Sequence, residues 1–304
     1  MTKRDGRVLP ATRALSITII PFLVVAFVVL FVYPDDTGRL FAWPISPRMT
    51  PMVLGSVYLG GAYFFLRAAR AREWHRVKAG FVPVGTFASL MAIATVIHWD
   101  RFTHDHLAFW LWAGLYFTTP FLVFATWAAN RRYDAPVSED DLEVPFAARV
   151  AAGTVGAMAV TTGLTLFLAP QRMLSSWPWM LTPLTARVMG AIFSLGIGGL
   201  FVAADRRWRA TATTLEVLGL MLSLIFVSGM RARADLDPSR PLTLTLILGM
   251  GVTLAGGALF YASMRRREQA RRRLPGLSNQ DLEPPAPATD QSDGKAAPAS
   301  PVDQ

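Results

Sequence analysis

Residues 13–50 read RALSITIIPFLVVAFVVLFVYPDDTGRLFAWPISPRMT, and residues 149–185 read RVAAGTVGAMAVTTGLTLFLAPQRMLSSWPWMLTPLT. The two stretches share residues at a constant spacing. Arg13, Thr18, Leu30, Phe31, Pro34, Trp43 and Pro47 reappear 136 positions later as Arg149, Thr154, Leu166, Phe167, Pro170, Trp179 and Pro183. One deleted residue then changes the offset to 135, and Thr50, Val53, Gly55 and Gly61 meet Thr185, Val188, Gly190 and Gly196. Each stretch opens on an apolar run and closes on a tryptophan, a proline and a threonine ahead of the next run. Such duplication constrains architecture and orientation, and it directs attention to the interface between the copies.

Working outward from these stretches, the apolar segments fall at about 14–33, 51–68, 79–98, 107–130, 148–169, 184–204, 211–230 and 241–264. Each has roughly 18–24 residues, and at about 1.5 Å rise per residue that crosses a hydrocarbon core of about 30 Å. Spanning strands are about half as long and alternate, so the fold class expected is all-α transmembrane, with eight helices as two parallel four-helix repeats. The chain is 52% hydrophobic and only 17% charged, as this fold requires. The expected divisions are an N-terminal segment (1–13), a first repeat (14–130), a linker (131–147), a second repeat (148–264) and a basic, then disordered, tail (265–304). The first apolar run is too long for a signal peptide, and Val32-Tyr33-Pro34-Asp35 offers no small-residue cleavage site. An even number of spans per copy leaves the copies parallel, about an axis along the membrane normal.

Orientation follows from charge. With the N-terminus inside, 22 of the 30 Lys and Arg residues lie in inner segments and eight in outer ones. That asymmetry places both termini on the cytoplasmic side of the membrane. The net charge of +9 is then mainly topogenic, and no soluble basic domain is present to bind nucleic acid. The run Arg265–Arg273 serves as a stop-transfer signal and fits anionic lipid headgroups. The bilayer itself is the other expected partner, and homo-oligomerisation is compatible with such a bundle. The absence of cysteine excludes disulfides, thiolate nucleophiles and thiolate metal sites, and no cofactor is expected.

Several segments carry candidate chemistry. FAWPISPRMTP (Phe41 to Pro51) and SSWPWMLTPLTAR (Ser175 to Arg187) set tryptophan at interfacial level and then proline and threonine at a helix start. The positive helix ends near Arg48 and Arg187 form candidate binding positions for an anionic group, set against the plainer reading of capped helix starts with aromatic anchors. HWDRFTHDH gathers His98, Asp100, His104 and His106, ligand types suited to zinc, copper or non-haem iron, although the spacing matches no established metal signature. A polar interface loop and an external pH response are the competing readings. Glu216 is the one formal charge well inside a span, where an unpartnered acid costs about 2.5–3.5 kcal/mol. Pairing with Arg206, Arg207 or Arg209 is the structural reading; a binding, gating or relay role is the functional one. Recurrent glycines, Gly60-Gly61, Gly198-Gly199 and Gly256-Gly257 among them, read as close helix packing.

WPW-x-LTPLTAR (Trp177 to Arg187), PDDTGRLFAWPI (Pro34 to Ile45) and HWDRF (His98 to Phe102) together resemble a group of uncharacterised bacterial eight-span integral membrane proteins. The resemblance covers residues 14–266 and implies the fold without an activity. No HExxH, P-loop or G-x-S-x-G motif appears, so an enzyme is not expected. A small-solute transporter or permease is the leading expectation, by analogy with other duplicated bundles. A scaffold or regulator of an envelope assembly and a metal- or pH-responsive membrane protein are the alternatives.

Overall fold

The computed structural model describes residues 5–137 and 141–273; Glu139 and Asp140 of the acidic linker and the tail from residue 274 lie outside the described residues. Among the described residues, eight helices are long and apolar enough to cross a membrane. They are α1 (Pro10–Phe27), α2 (Met49–Arg70), α3 (Lys78–Ile97), α4 (Leu107–Asn130), α5 (Phe146–Leu168), a sixth span made of α6 (Pro183–Phe193) and α7 (Ile197–Ala204), α8 (Trp208–Arg231) and α9 (Pro241–Arg273). No strand occurs among the described residues, only two isolated bridges, Arg7 with Glu73 and Glu143 with Arg207. The chain is an all-α membrane-spanning protein.

Local chemistry sets the boundaries. Pro10 opens α1, where its missing N–H costs nothing, so the helix starts before residue 14. Its polar first turn is satisfied from elsewhere: Thr12 bonds the Asn130 side chain, and Arg13 Nη2 donates to the Ala71 carbonyl at 3.1 Å, just past the end of α2. α1 ends in a π-helical turn, Val28–Val32, before Pro34 prevents its continuation. Thr182 caps α6 as the sequence predicts. Its Oγ1 accepts from the Thr185 amide at 3.2 Å, while Thr185 Oγ1 accepts from the Thr182 amide at 2.8 Å. The start of α2 differs. No side chain of its own turn caps it; the Met49 amide donates to Asp235 Oδ2 at 2.9 Å, and Thr50 instead accepts from Trp179 Nε1 at 2.8 Å. α9 continues to Arg273 rather than stopping at 264, because arginines propagate a helix well and Glu268 sits one turn from Arg265 and Arg272 to pair with both.

The tightest seam joins α5 to α6 and α7. A Cβ added to Gly156 would lie 2.5 Å from the Gly196 oxygen, and one on Gly199 the same distance from the Ala152 oxygen. Backbones approach here because no side chain intervenes, the standard solution where lipid gives helices no hydrophobic drive to associate.

At the end of the bundle away from the termini, Phe41, Trp43, Phe102, Trp112 and Tyr116 interlock, with ring centroids 4.9 Å apart for Trp43–Trp112 and 4.3 Å for Trp112–Tyr116. At both ends the same backbone bonds occur twice. Trp74 N donates to the Gly6 carbonyl at 2.6 Å and Trp208 N to the Leu142 carbonyl at 2.8 Å; Thr103 N donates to the Ala42 carbonyl at 2.9 Å and Asp237 N to the Pro178 carbonyl at 2.8 Å. Arg149 likewise donates to the Ala203 carbonyl, at 2.9 and 2.7 Å, just before the sixth span ends.

Candidate functional site

The bundle encloses a partly open cavity of about 540 Å³ to which all eight spans contribute. Ile19, Pro83, Val155, Gly198, Leu218 and Gly256 illustrate its apolar wall. Most lining residues sit from mid-helix toward the ends nearer the chain termini, and the cavity reaches up to Tyr58 and Tyr116, where the aromatic cluster begins. α9 packs along α8 and makes no extended contact with α5, whereas α4 packs on both α3 and α1. Val155 of α5 and Val252 of α9, both lining the cavity, are 42% and 72% exposed.

At the terminal end the cavity is closed in two ways. Val144, Trp208 and Met264 form a small buried apolar cluster with Phe260 and Ala148 against it. Beside it, Ala79, Val202 and Thr211 of the lining adjoin an ion network. Lys78 Nζ lies 2.7 Å from Asp134 Oδ2 and 2.9 Å from Asp205 Oδ2, and Arg207 Nη2 lies 2.9 Å from Asp205 Oδ2. Arg207 also donates to the Ala135 carbonyl at 3.0 Å. Burial alone would raise the Asp205 carboxyl, but hydrogen bonds from Arg207 and Lys78 override it and hold the group well below the usual carboxylate range. The network ties α3, the end of α7, the start of α8 and the connection between the halves.

The residues singled out in the sequence do not assemble into one site. Glu216 is in a span as expected, but its partners are Arg67, Tyr63 and Tyr261, not Arg206, Arg207 or Arg209. Arg67 pairs with one carboxylate oxygen, Tyr63 donates to the same oxygen at 2.9 Å, and Tyr261 donates to the other at 2.6 Å. Glu216 does not line the cavity; Leu215, Val217 and Leu218 beside it do. Its acid clamps α2, α8 and α9 together. Arg206 pairs instead with Glu143 at 2.7 Å, and Arg209 approaches Glu73 and Glu268.

Arg48 and Arg187 do not present open anion positions. Arg48 forms a two-pronged pair with Asp35 at 2.5 and 2.6 Å, and the nearby helix start is occupied by Asp235. Arg187 Nη1 lies 2.8 Å from His98 Nε2. Burial and that cation both hold the His98 imidazole below its ordinary value, so it accepts as a neutral ring.

The candidate metal set is not brought together. His98 is spent on Arg187, His104 packs between Trp99 and Phe109 at 5.1 and 4.7 Å, and Asp100 is 77% exposed beside Arg101. Among the described residues no three His, Cys, Asp or Glu side chains are placed to hold a metal ion, His106 included. Of the four, only Asp100 lies on the 3-10 turn Trp99–Arg101, and it faces solvent while His104 packs among aromatic rings.

Sequence reasoning missed Tyr58, Tyr116 and Thr119, buried polar residues in the cavity wall. A tyrosine in mid-span was the available signal, since a buried phenol needs a partner.

These features define a multi-pass, all-α membrane protein with an internal apolar cavity. Comparison with protein-family models, curated proteins and solved structures finds no match.

Proposed function

We propose that this chain binds a small apolar or amphipathic solute between two parallel four-helix repeats and carries it within or across the bacterial cytoplasmic membrane. The cavity of about 540 Å³ carries the reading. Its size falls in the range of ligand sites, about 300–1,000 Å³, and its apolar wall fits a lipid-like body and lacks the hydration path a polar solute needs. The repeat is supported by the hydrogen bonds that recur at offsets of 134 to 136 residues. The charge asymmetry supports cytoplasmic termini. On that orientation the cavity runs from mid-membrane into the inner leaflet, and the arginines of α9 beyond residue 264 meet anionic headgroups at that surface.

Photolabelling tests the binding. The full chain in liposomes, irradiated with a diazirine-bearing dodecane, should be labelled on the lining segments of α4, α5 and α8. Gly256 has nothing within 4 Å of an added Cβ, so Gly256→Leu fills cavity space without a backbone clash. That variant should insert normally and lose most of the labelling. Equal labelling of the two proteins, or labelling confined to the lipid-facing surface, contradicts the reading.

A further inference from the structure

One part of the cavity wall is polar and incompletely partnered. Tyr58 of α2 and Tyr116 of α4 line the cavity, are 2% and 3% exposed, and their hydroxyl oxygens lie 2.8 Å apart. A phenol carries one hydrogen and accepts through its lone pairs. The pair therefore holds two hydrogens and places only one between the oxygens. Among the described residues neither oxygen has another hydrogen-bond partner, so one O–H remains without an acceptor in an apolar surrounding.

Thr119, one helical turn from Tyr116, lines the same wall and is 7% exposed. Thr118 and Thr126 of the same helix return their hydroxyls to carbonyls one turn back, at 2.7 and 2.9 Å; among the described residues no such bond occupies Thr119. Pro120 follows it, and having no N–H it leaves the Tyr116 carbonyl without its usual helical donor. In a bilayer, groups of this kind are satisfied by neighbouring side chains, ordered water or a ligand. The rest of the wall around the pair is apolar, with Ile19, Leu23, Phe87 and Met221 among the lining residues.

Resting on the cavity reading above, we propose that the Tyr58–Tyr116 pair, with Thr119, is the polar anchor for a ligand that combines an acyl-chain or isoprenoid-like body with one terminal oxygen, a hydroxyl or a carbonyl. The ligand oxygen accepts the spare phenolic hydrogen. A hydroxyl ligand also has a hydrogen of its own to give to Thr119 or the Tyr116 carbonyl. The body fills the apolar volume toward α5 and α9. A plain alkane fits the same volume but leaves the phenolic hydrogen unmet, so the site discriminates by one hydrogen bond. Buried polar groups left unpaired are what make such discrimination effective.

The test is competition against the diazirine-dodecane label, using unlabelled 1-dodecanol and dodecane at matched membrane concentrations on the full chain in liposomes. Wild-type protein should show dodecanol competing about tenfold better than dodecane, the factor expected of one buried hydrogen bond. The isosteric double variant Tyr58→Phe/Tyr116→Phe should keep the labelling and the dodecane competition while losing the tenfold preference. Equal competition on wild type overturns the anchor and leaves the cavity intact. A preference that survives in the double variant also overturns it. Should wild type show no saturable labelling at all, the cavity reading fails with it. If the double variant fails to insert, Tyr58→Leu/Tyr116→Leu, which also removes both hydroxyls, supplies the same comparison.

Discussion

Glu216 shows how a single residue in a membrane reads differently once its neighbours are known. Alone in an apolar run it looks like a carrier's ionisable group; in place, Arg67, Tyr63 and Tyr261 use both of its oxygens as acceptors. Interhelical polar contacts in bilayers contribute about 0.6 to 2 kcal/mol each, so Glu216→Gln should lower stability by about 1–2 kcal/mol in detergent unfolding while leaving photolabelling of the cavity unchanged. Loss of labelling with stability intact would return Glu216 to the binding site. Arg67 lies 149 residues away, which is why no local reading of the sequence could pair it. Titration gives a second residue-scale expectation. Burial and the Arg207 cation hold the His75 imidazole below its ordinary value, against the weaker pull of Glu73 and Asp141. The unfolded chain then takes up the proton first as pH falls, so this contribution to stability is full above about pH 6.5 and declines below it. His98 acts in the same direction. His75→Gln should flatten the fall in Tm between pH 7 and pH 5, and His75→Gln/His98→Gln should flatten it further; an unchanged slope contradicts the assignment.

Between elements, the same residue type does opposite work on two seams. Gly199 lets α7 meet α5 at backbone contact, whereas Gly256 of α9 faces open space. Overpacking typically costs about 1–3 kcal/mol, so Gly199→Ala should destabilise by at least that much. Gly256→Ala should be neutral or slightly stabilising, since alanine is the better helix former by about 1 kcal/mol. Thermal unfolding of the two variants side by side checks this, and similar losses would contradict the seam. The spans themselves were legible, because an apolar run of this length has few other uses. Their ends were not. Pro10 and Thr12 extend α1 because Asn130 at the far end of α4 satisfies its first turn, and α9 runs on through its arginines. Neither signal is apolar. The helix starts near Trp43 and Trp179 were read alike, yet only the second caps itself; the first borrows Asp235 from the connection between α8 and α9.

For the whole molecule, sequence revealed the plan and concealed the space inside it. A helix face that lines a cavity and one that packs on a neighbour are both apolar in a bilayer, so no pattern separates them. The separation appears only where α9 stays on α8 without closing against α5, while α4, its counterpart in the proposed repeat, closes on α1. Because the chain has no cysteine, its orientation can be checked with single introduced cysteines. Asp100→Cys should react with an impermeant maleimide from outside the cell and Val137→Cys should not; the reverse pattern would invert the bundle and move the cavity to the outer leaflet.

The central claim, that the cavity carries an apolar or amphipathic solute, is tested most directly by transbilayer movement of an NBD-labelled dodecylamine in proteoliposomes, followed by dithionite quenching. Wild-type protein should accelerate movement severalfold over protein-free liposomes, and Gly256→Leu should return the rate to that baseline. A wild-type rate equal to the protein-free rate, or full acceleration by the filled variant, would contradict the account.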